Sequence, residues 1–178
     1  MSLSTRDTLL QKTLTSLGVN LWDLSQRSPV LLVFVRHLGC TYCRETLGLL
    51  HQARPTWVQR GIQPVIVYPA QPGEIDPLLR QYGLQDVPTV ADPERRLYAL
   101  FELPLGRWGQ LFGWKVVWRA VVEGVLWKYG LGMIRGEPRQ LGGAVLIDRG
   151  QIVHIMRAQS SADQPDFQAL CEIPPNQR

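Results

Sequence analysis

The sequence predicts a three-layer α/β fold with a mixed central sheet and a helical insertion before a C-terminal hairpin. Two observations favour this class. Apolar runs typical of buried strands alternate with helical patterns in the first half of the chain, and two apolar strands flank a glycine turn near its end. Of the 178 residues, 45% are hydrophobic and 19% charged, which excludes a disordered or collagen-like chain. This length suits a single domain over residues 1–178.

Each predicted element follows from a local pattern. Residues 30–35 form an apolar, β-branched run of the kind buried on both faces of a sheet, with Pro29 before it and Gly39 after it. Further strands are predicted at residues 63–68, 87–91, 144–147 and 152–156, and helices between Cys40 and Gly61, at 74–82, from Pro93 onward and at 163–171. Asp92 is placed to cap the helix that starts at Pro93. Parallel pairing followed by an antiparallel hairpin is compatible with a thioredoxin-like fold.

A basic, tryptophan-rich insertion is predicted at residues 103–140. Its six basic and two acidic residues account for the whole formal net charge of +4, and it holds four of the six tryptophans. Lys115, Arg119 and Glu123 share one helical stripe, which predicts an amphipathic helix and excludes a transmembrane span. Its role stays open between packing on the sheet, a homodimer interface and docking on an anionic membrane surface. The basic residues are too few and too dispersed to predict nucleic-acid binding.

Two cysteines, Cys40 and Cys43, lie where the first strand gives way to a helix. A helix N-terminus favours an anion, and Arg36 and Arg44 add positive charge nearby, so a thiolate nucleophile is predicted here. For His37 two interpretations stay open: it modulates Cys40, with added positive charge, or it merely ends the strand. The two cysteines face the same side of the first turn and can form a disulfide. Because Cys40 stands at the exposed end of the helix and Cys43 one turn inside, we expect Cys40 to attack and Cys43 to resolve.

Other interpretations of the cysteines are weaker. Cys40, Cys43 and His51 could contribute to a zinc site, but a closed site needs four ligands and the sequence has no second Cys-x-x-Cys pair. Neither a metal nor a cofactor is therefore predicted. Cys171 is expected to pack in the core rather than to act as a second resolving thiol. The N-terminus lacks an unbroken apolar stretch of signal-peptide type, which predicts a cytoplasmic protein, where a Cys-x-x-Cys pair is more often catalytic than structural.

Residues 34–45, which read Phe-Val-Arg-His-Leu-Gly-Cys-Thr-Tyr-Cys-Arg-Glu, resemble the signature of the peroxiredoxin-like branch of the AhpC/TSA antioxidant family. Residues 90–94, 97–98 and 140–143 add to the resemblance, which spans roughly residues 29–170. It implies a thioredoxin fold, redox chemistry at Cys40 and Cys43, a peroxide or disulfide substrate and an external thiol reductant of the thioredoxin or glutathione type. Tyr42 makes the motif similar to that of glutaredoxins, which favours glutathione. A related branch reduces lipid endoperoxides, so an apolar substrate gathered by the insertion is expected by analogy.

Three positions depart from the family pattern. Typical peroxiredoxins have a proline and a threonine seven and three residues before the attacking cysteine, where this chain has Val33 and His37, so fast peroxide reduction is not predicted. The thioredoxin fold also has a cis-proline just before the hairpin, and the glycines Gly142 and Gly143 occupy that place. Glycines at that place would let the backbone approach a substrate closely. Pro88 is the alternative cis-proline, and the glycine interpretation requires it to be trans.

The combined expectation is a thiol–disulfide oxidoreductase or peroxiredoxin-like antioxidant enzyme that works through Cys40 and Cys43. The resemblance also suggests that Arg157 or Arg139 binds an anionic oxygen near the thiolate. His154, in the hairpin, is predicted to face solvent. The alternative function is a non-enzymatic redox-sensing or membrane-surface docking module.

Overall fold

Five strands form one mixed sheet in the computed structural model, which describes residues 5–106, 118 and 139–172. The strands are β1 (Val30–Phe34), β2 (Gln63–Tyr68), β3 (Thr89–Ala91), β4 (Gly143–Asp148) and β5 (Gln151–Arg157). Their order across the sheet is β3-β2-β1-β4-β5. Strands β1, β2 and β3 pair in parallel, and β4 pairs antiparallel with β1 and β5. The predicted mixed sheet and C-terminal hairpin are confirmed.

Seven helices have their bounds within the described residues. They are α1 (Thr5–Lys12), α2 (Leu21–Arg27), α3 (Thr41–Gln52), α4 (Arg54–Gln59), α5 (Asp76–Tyr82), α6 (Arg96–Leu100) and α7 (Phe167–Glu172). Over the described ranges, none of the helices has both the length and the apolarity needed to span a bilayer.

Alternate residues of β1 divide the core into two halves. Leu31 and Val33 pack with the buried residues of α3, α4, α5 and α7 on one face of the sheet. Leu32 and Phe34 point to the other face, where α1, α2 and α6 cover them. Side chains of a strand alternate between faces, so a strand that is apolar at every position is expected to be covered on both sides. The predicted three-layer arrangement is confirmed.

Two helix predictions need correction. The single helix predicted between Cys40 and Gly61 is two helices, because the chain turns at Ala53 and Pro55 occupies the first turn of α4. The helix expected to start at Pro93 starts three residues later. The Asp92 carboxylate accepts hydrogen bonds from the backbone N–H groups of Arg96 and Leu97, at 2.9 and 2.8 Å, so it does cap the helix, but across a longer turn.

The last helix also starts later than predicted. The Asp163 carboxylate accepts from the backbone N–H groups of Gln159 and Ser160, at 2.7 and 2.9 Å, and so closes a turn instead of starting a helix at residue 163. Asp166 caps α7 by accepting from the backbone N–H of Ala169 at 3.0 Å. The structure thus places two aspartate-capped turns where the sequence predicts one longer helix.

The two ends of the predicted insertion lie side by side. Leu105 and Gln140 form an antiparallel bridge, and the Gly106 N–H donates to the Arg139 carbonyl at 2.7 Å. Within the insertion the structure also describes Trp118, which is helical and half exposed. The amphipathic helix predicted here, with its homodimer and membrane interpretations, otherwise lies outside the described residues.

Candidate active site

The two cysteines lie at the start of α3, just after β1. Cys40 is the N-cap residue of α3, and its carbonyl accepts from the backbone N–H groups of Cys43 and Arg44, both at 3.1 Å. Cys40 is 6% exposed and Cys43 4% exposed. The expectation that Cys40 is the exposed thiol is therefore wrong, because both sulfurs are buried. Any difference in reactivity between them must come from their hydrogen bonds and charges.

Arg36 contacts both sulfurs. Its guanidinium donates from Nη1 to the Cys40 Sγ at 3.3 Å, and its backbone N–H donates to the Cys43 Sγ at 3.1 Å. The same guanidinium donates from Nε to the Gln140 carbonyl at 3.0 Å, so the side chain is held in place from the end of the insertion. A buried cation fixed against a sulfur favours the thiolate over the thiol.

The two thiols have pKa values displaced in opposite directions. A hydrogen bond from the Cys43 thiol, opposed by burial and assisted by the Arg36 charge and the backbone N–H groups of Tyr42 and Cys43, lowers the pKa of Cys40 to about 6. Burial, together with the bond to Cys40, raises the pKa of Cys43 well above its usual value. At neutral pH the pair therefore consists of a Cys40 thiolate and a Cys43 thiol.

His37 adds no positive charge to the site at neutral pH. Burial and the neighbouring Arg36 charge lower its pKa to about 4, so the imidazole is neutral. The carbonyl of His37 accepts from the Cys40 N–H at 3.1 Å and shapes the turn into α3. The interpretation in which His37 adds positive charge is thus wrong, and the positive charge beside the Cys40 sulfur is that of Arg36.

A narrow cleft opens beside Cys43. Its cavity volume is about 20 Å³, room for a molecule the size of water. Arg36, Cys43, Thr46 and Gly142 line it, and Cys40 is not among its lining residues. The Gln164 amide closes the far wall by donating to the Tyr42 carbonyl at 3.0 Å. A small molecule in this cleft would contact Arg36 and Cys43, but not Cys40.

Pro88 is trans, as the glycine interpretation requires. The close approach at Gly142 is to the backbone of β1, whereas the sequence predicts an approach to a substrate. A Cβ on Gly142 would lie 2.5 Å from the Phe34 carbonyl oxygen and 3.7 Å from the Cγ of Arg36. Because Gly142 has no side chain, its backbone can lie directly against the last residue of β1, close to the Arg36 side chain.

Several other expectations can be compared with the structure. Arg157 does not reach the thiolate, because its guanidinium binds the Phe101 and Glu102 carbonyls and pairs with the Glu102 carboxylate at 3.2 Å. His154 is exposed, as predicted. Cys171 is buried in α7, where burial raises its pKa to about 11. His51 lies in the last turn of α3, about 16.5 Å of helix from Cys40, so the two cannot share a metal ion.

Within residues 5–106, 118 and 139–172, no three His, Cys, Asp or Glu side chains converge as metal ligands. The sequence interpretation missed the role of Gln140, whose carbonyl positions Arg36 and whose side-chain amide donates to the Leu141 carbonyl at 3.0 Å. Its position within the family-like stretch at residues 140–143 is the one signal of this role in the sequence.

Comparisons with known proteins agree with this architecture. A family model described as AhpC/TSA antioxidant enzyme matches residues 49–160, a range that begins after both cysteines. No curated protein matches the sequence. Among solved structures, a PrxQ mutant from Xylella fastidiosa is similar, with a TM-score of 0.64, 16% identity, and coverage of 96% of this chain and 91% of that one.

Two further solved structures are similar at low identity. A mutant of peroxiredoxin 6 from Arenicola marina has a TM-score of 0.63 and 13% identity, over 90% of this chain and 66% of that one, just under two thirds of its length. A yeast mitochondrial 1-Cys peroxiredoxin, described with thiol resolution via glutathione/thioredoxin systems, has a TM-score of 0.58 and 12% identity, over 90% of this chain and 69% of that one. At these identities the similarity establishes the fold.

Proposed function

Because the chain belongs to the AhpC/TSA antioxidant enzyme family, we propose that it is a thiol-based oxidoreductase of the peroxiredoxin-like type, which reduces a peroxide or a disulfide through Cys40 and Cys43. The observation that carries the proposal is the pair of donors on the Cys40 sulfur, the Cys43 thiol and the Arg36 guanidinium. Together they favour a thiolate at neutral pH, and the thiolate is the nucleophile in both reactions.

The first step is attack by the Cys40 thiolate on one peroxide oxygen. The O–O bond breaks, the attacked oxygen bonds to sulfur as a sulfenic acid, and the other oxygen leaves with a proton as water or an alcohol. Arg36 is placed to stabilise the negative charge that moves from sulfur to the leaving oxygen, because its guanidinium already contacts the Cys40 sulfur and lines the adjacent cleft.

The second step forms the disulfide. Cys43 loses its proton and attacks the Cys40 sulfur, the S–O bond breaks, and the oxygen leaves as water. Cys43 is already hydrogen-bonded to Cys40 across the first turn of α3, so little backbone movement is needed. Two thiols of an external donor of the thioredoxin or glutathione type then reduce the disulfide and are themselves oxidised to a disulfide. This chemistry fits a reducing compartment such as the cytoplasm.

The experiment is to mix the reduced protein with hydrogen peroxide and follow tryptophan fluorescence by stopped flow, with the product verified by mass. The reference is the rate of free cysteine, corrected for its thiolate fraction. We expect a faster rate than this reference, ending in the Cys40–Cys43 disulfide. The Cys43→Ser variant should stop at a Cys40 sulfenic acid, and the Cys40→Ser variant should not react above background.

A rate equal to the free thiolate would contradict the peroxidase part of the proposal and leave disulfide exchange, which the same variants test with oxidised glutathione as substrate. Disulfide formation without turnover in the presence of a thiol reductant would indicate a redox sensor instead of an enzyme. A full reaction in Cys40→Ser, with none in Cys43→Ser, would reverse the assigned order of the two thiols.

A further inference from the structure

The peptide group between Val35 and Arg36 is held at both ends. Its N–H donates to the Cys43 Sγ at 3.1 Å, and its carbonyl accepts from the hydroxyl of Tyr98. In a trans peptide the N–H and the carbonyl point in opposite directions. Cys43 belongs to the core on the α3 face of the sheet and Tyr98 to the core on the other face. One amide therefore connects a tyrosine on one side of the sheet with a thiol on the opposite side.

Tyr98 lies where the chain leaves β1. The Val35 N–H still donates to the Val67 carbonyl at 3.0 Å, and the Tyr98 hydroxyl lies 3.1 Å from the same carbonyl oxygen. The Tyr98 ring is 1% exposed and packs edge to face on Phe34, with ring centroids 4.9 Å apart. A hydroxyl buried this deeply has no water to take its place, so it fixes the orientation of the carbonyl it binds.

We propose that Tyr98 is a positioning residue for Cys43: by holding the Val35 carbonyl, its hydroxyl aims the Arg36 N–H at the Cys43 sulfur and so favours the Cys43 thiolate that closes the disulfide. The inference rests on the proposed function and names a residue on which its second step depends. Tyr98 lies on α6, outside the Cys-x-x-Cys segment.

The need for such help follows from the surroundings of Cys43. Burial raises the pKa of the Cys43 thiol well above its usual value, whereas the Arg36 charge and a backbone hydrogen bond from His37 act in the opposite direction. An amide whose carbonyl accepts a hydrogen bond is also a stronger donor, by roughly 10–30% per bond. Removing the Tyr98 hydroxyl weakens the N–H donor at the sulfur and frees the peptide to rotate away from it.

The test is Tyr98→Phe, which removes the hydroxyl and keeps the ring packing. Reduced protein is mixed with hydrogen peroxide, and the two steps are measured separately, the sulfenic acid by trapping with dimedone and the disulfide by mass. We expect disulfide formation slowed about threefold at pH 7, more than the first step, because a loss of thiolate of about tenfold is partly offset by greater nucleophilicity, and we expect its pH profile to move up by about one unit. Tyr68→Phe is the matched control, because Tyr68 is also buried and its hydroxyl accepts from the Gly73 N–H, away from the Val35–Arg36 peptide.

A second measurement does not depend on peroxide chemistry. In a Cys40→Ser, Cys171→Ala background, the ultraviolet absorbance of the thiolate reports the titration of Cys43 directly. Adding Tyr98→Phe should raise the titration midpoint by about one pKa unit, and adding Tyr68→Phe should leave it in place. Equal midpoints with and without the Tyr98 hydroxyl, or an equal shift from Tyr68→Phe, would overturn the inference. Failure of the proposed function is seen separately, as a Cys43→Ser variant that forms neither a Cys40 sulfenic acid with hydrogen peroxide nor a mixed disulfide with oxidised glutathione.

Discussion

Two regions of the molecule each bury a cysteine in a helix, and they give the thiol opposite properties. Cys40, at the start of α3, is 6% exposed and has a pKa lowered to about 6. Cys171, in α7, is 3% exposed and has a pKa raised to about 11. Burial is nearly the same at the two sites, so burial does not decide which thiol ionises.

The difference lies in the donors around each sulfur. At Cys40, the Cys43 thiol, the Arg36 guanidinium and two backbone N–H groups oppose the cost of burying a charge. At Cys171 burial dominates, and the charge of Arg60 offsets only part of it. A buried cysteine is therefore poised for chemistry where the fold supplies donors to its sulfur and is inert where it does not.

The largest expected effect is on alkylation. At pH 7 a thiol of pKa about 6 is mostly thiolate, whereas one of pKa about 11 is thiolate in roughly one molecule in 10⁴. Because the weaker acid is the stronger nucleophile, part of this difference cancels, and Cys40 should react with iodoacetamide about 30-fold faster than Cys171. Peptide mass analysis at successive times measures both rates in one sample.

The control is the same experiment in denaturing urea, where the surroundings of both cysteines are lost and their rates should converge. Equal rates at Cys40 and Cys171 in the folded protein would break the comparison, since the donors at α3 would then have no effect on reactivity.

Much of the fold was predictable because the strands are continuous apolar runs and the hairpin turn has a clear residue pattern. Strands β1, β2 and β4 lie within a residue of their predicted ends. The helix boundaries were harder, because they depend on which backbone groups each aspartate carboxylate binds. Helices α1 and α2 were not predicted, since α1 buries only Leu10 fully and shows no apolar stripe.

The candidate site was predictable in its residues but not in its contacts. The spacing of Cys40 and Cys43 and the presence of Arg36 are visible in the sequence. Local helix geometry then predicts that the two cysteines lie on the same side of the first turn. Two contacts of the site join residues more than 60 positions apart along the chain. The Gln140 carbonyl binds the Arg36 guanidinium, and the Tyr98 hydroxyl binds the Val35 carbonyl. Such contacts follow from the order of strands in the sheet, which the periodicity of a single segment does not contain.

A smaller effect is expected from Arg36→Met, which removes the guanidinium and leaves the backbone N–H on Cys43. We expect the pKa of Cys40 to rise by about one unit, which lowers its alkylation rate about threefold at pH 5, because the loss of thiolate is partly offset by greater nucleophilicity. At pH 8, where the thiolate predominates with or without Arg36, the variant should react about threefold faster than the wild-type protein. Iodoacetamide labelling of Cys40 across this pH range measures it.

Arg157→Met is the matched control, because that guanidinium binds the Glu102 carboxylate and the carbonyls of Phe101 and Glu102, away from the sulfurs. It should leave the Cys40 profile unchanged. If Arg36→Met also left the midpoint in place, the low pKa of Cys40 would have to come from Cys43 and the helix N-terminus alone.

The last expected effect is on the free energy of unfolding and is spread over several pH units. Cys40 should change this free energy below pH 9, and Cys171 should change it above pH 9. The pKa of Cys40 is lower in the folded protein, about 6 against an ordinary 9.0, so its contribution is present above pH 9 and is lost as the pH falls toward 6. The pKa of Cys171 is higher when folded, about 11, so its contribution is lost as the pH rises from 9 toward 11. His37 acts only below its ordinary pKa of 6.5, so measurements from pH 6.5 upward avoid it.

Urea unfolding of the reduced protein should therefore show a free energy of unfolding that rises by about 1 kcal/mol per pH unit between pH 6.5 and 9. Cys40→Ser should remove that rise. Cys171→Ala should keep it and weaken the fall above pH 9, where Cys43 continues to act in the same direction as Cys171. A rise that persists in Cys40→Ser would mean that some other group titrates on folding, and the donors at α3 would then favour the thiolate without stabilising the fold.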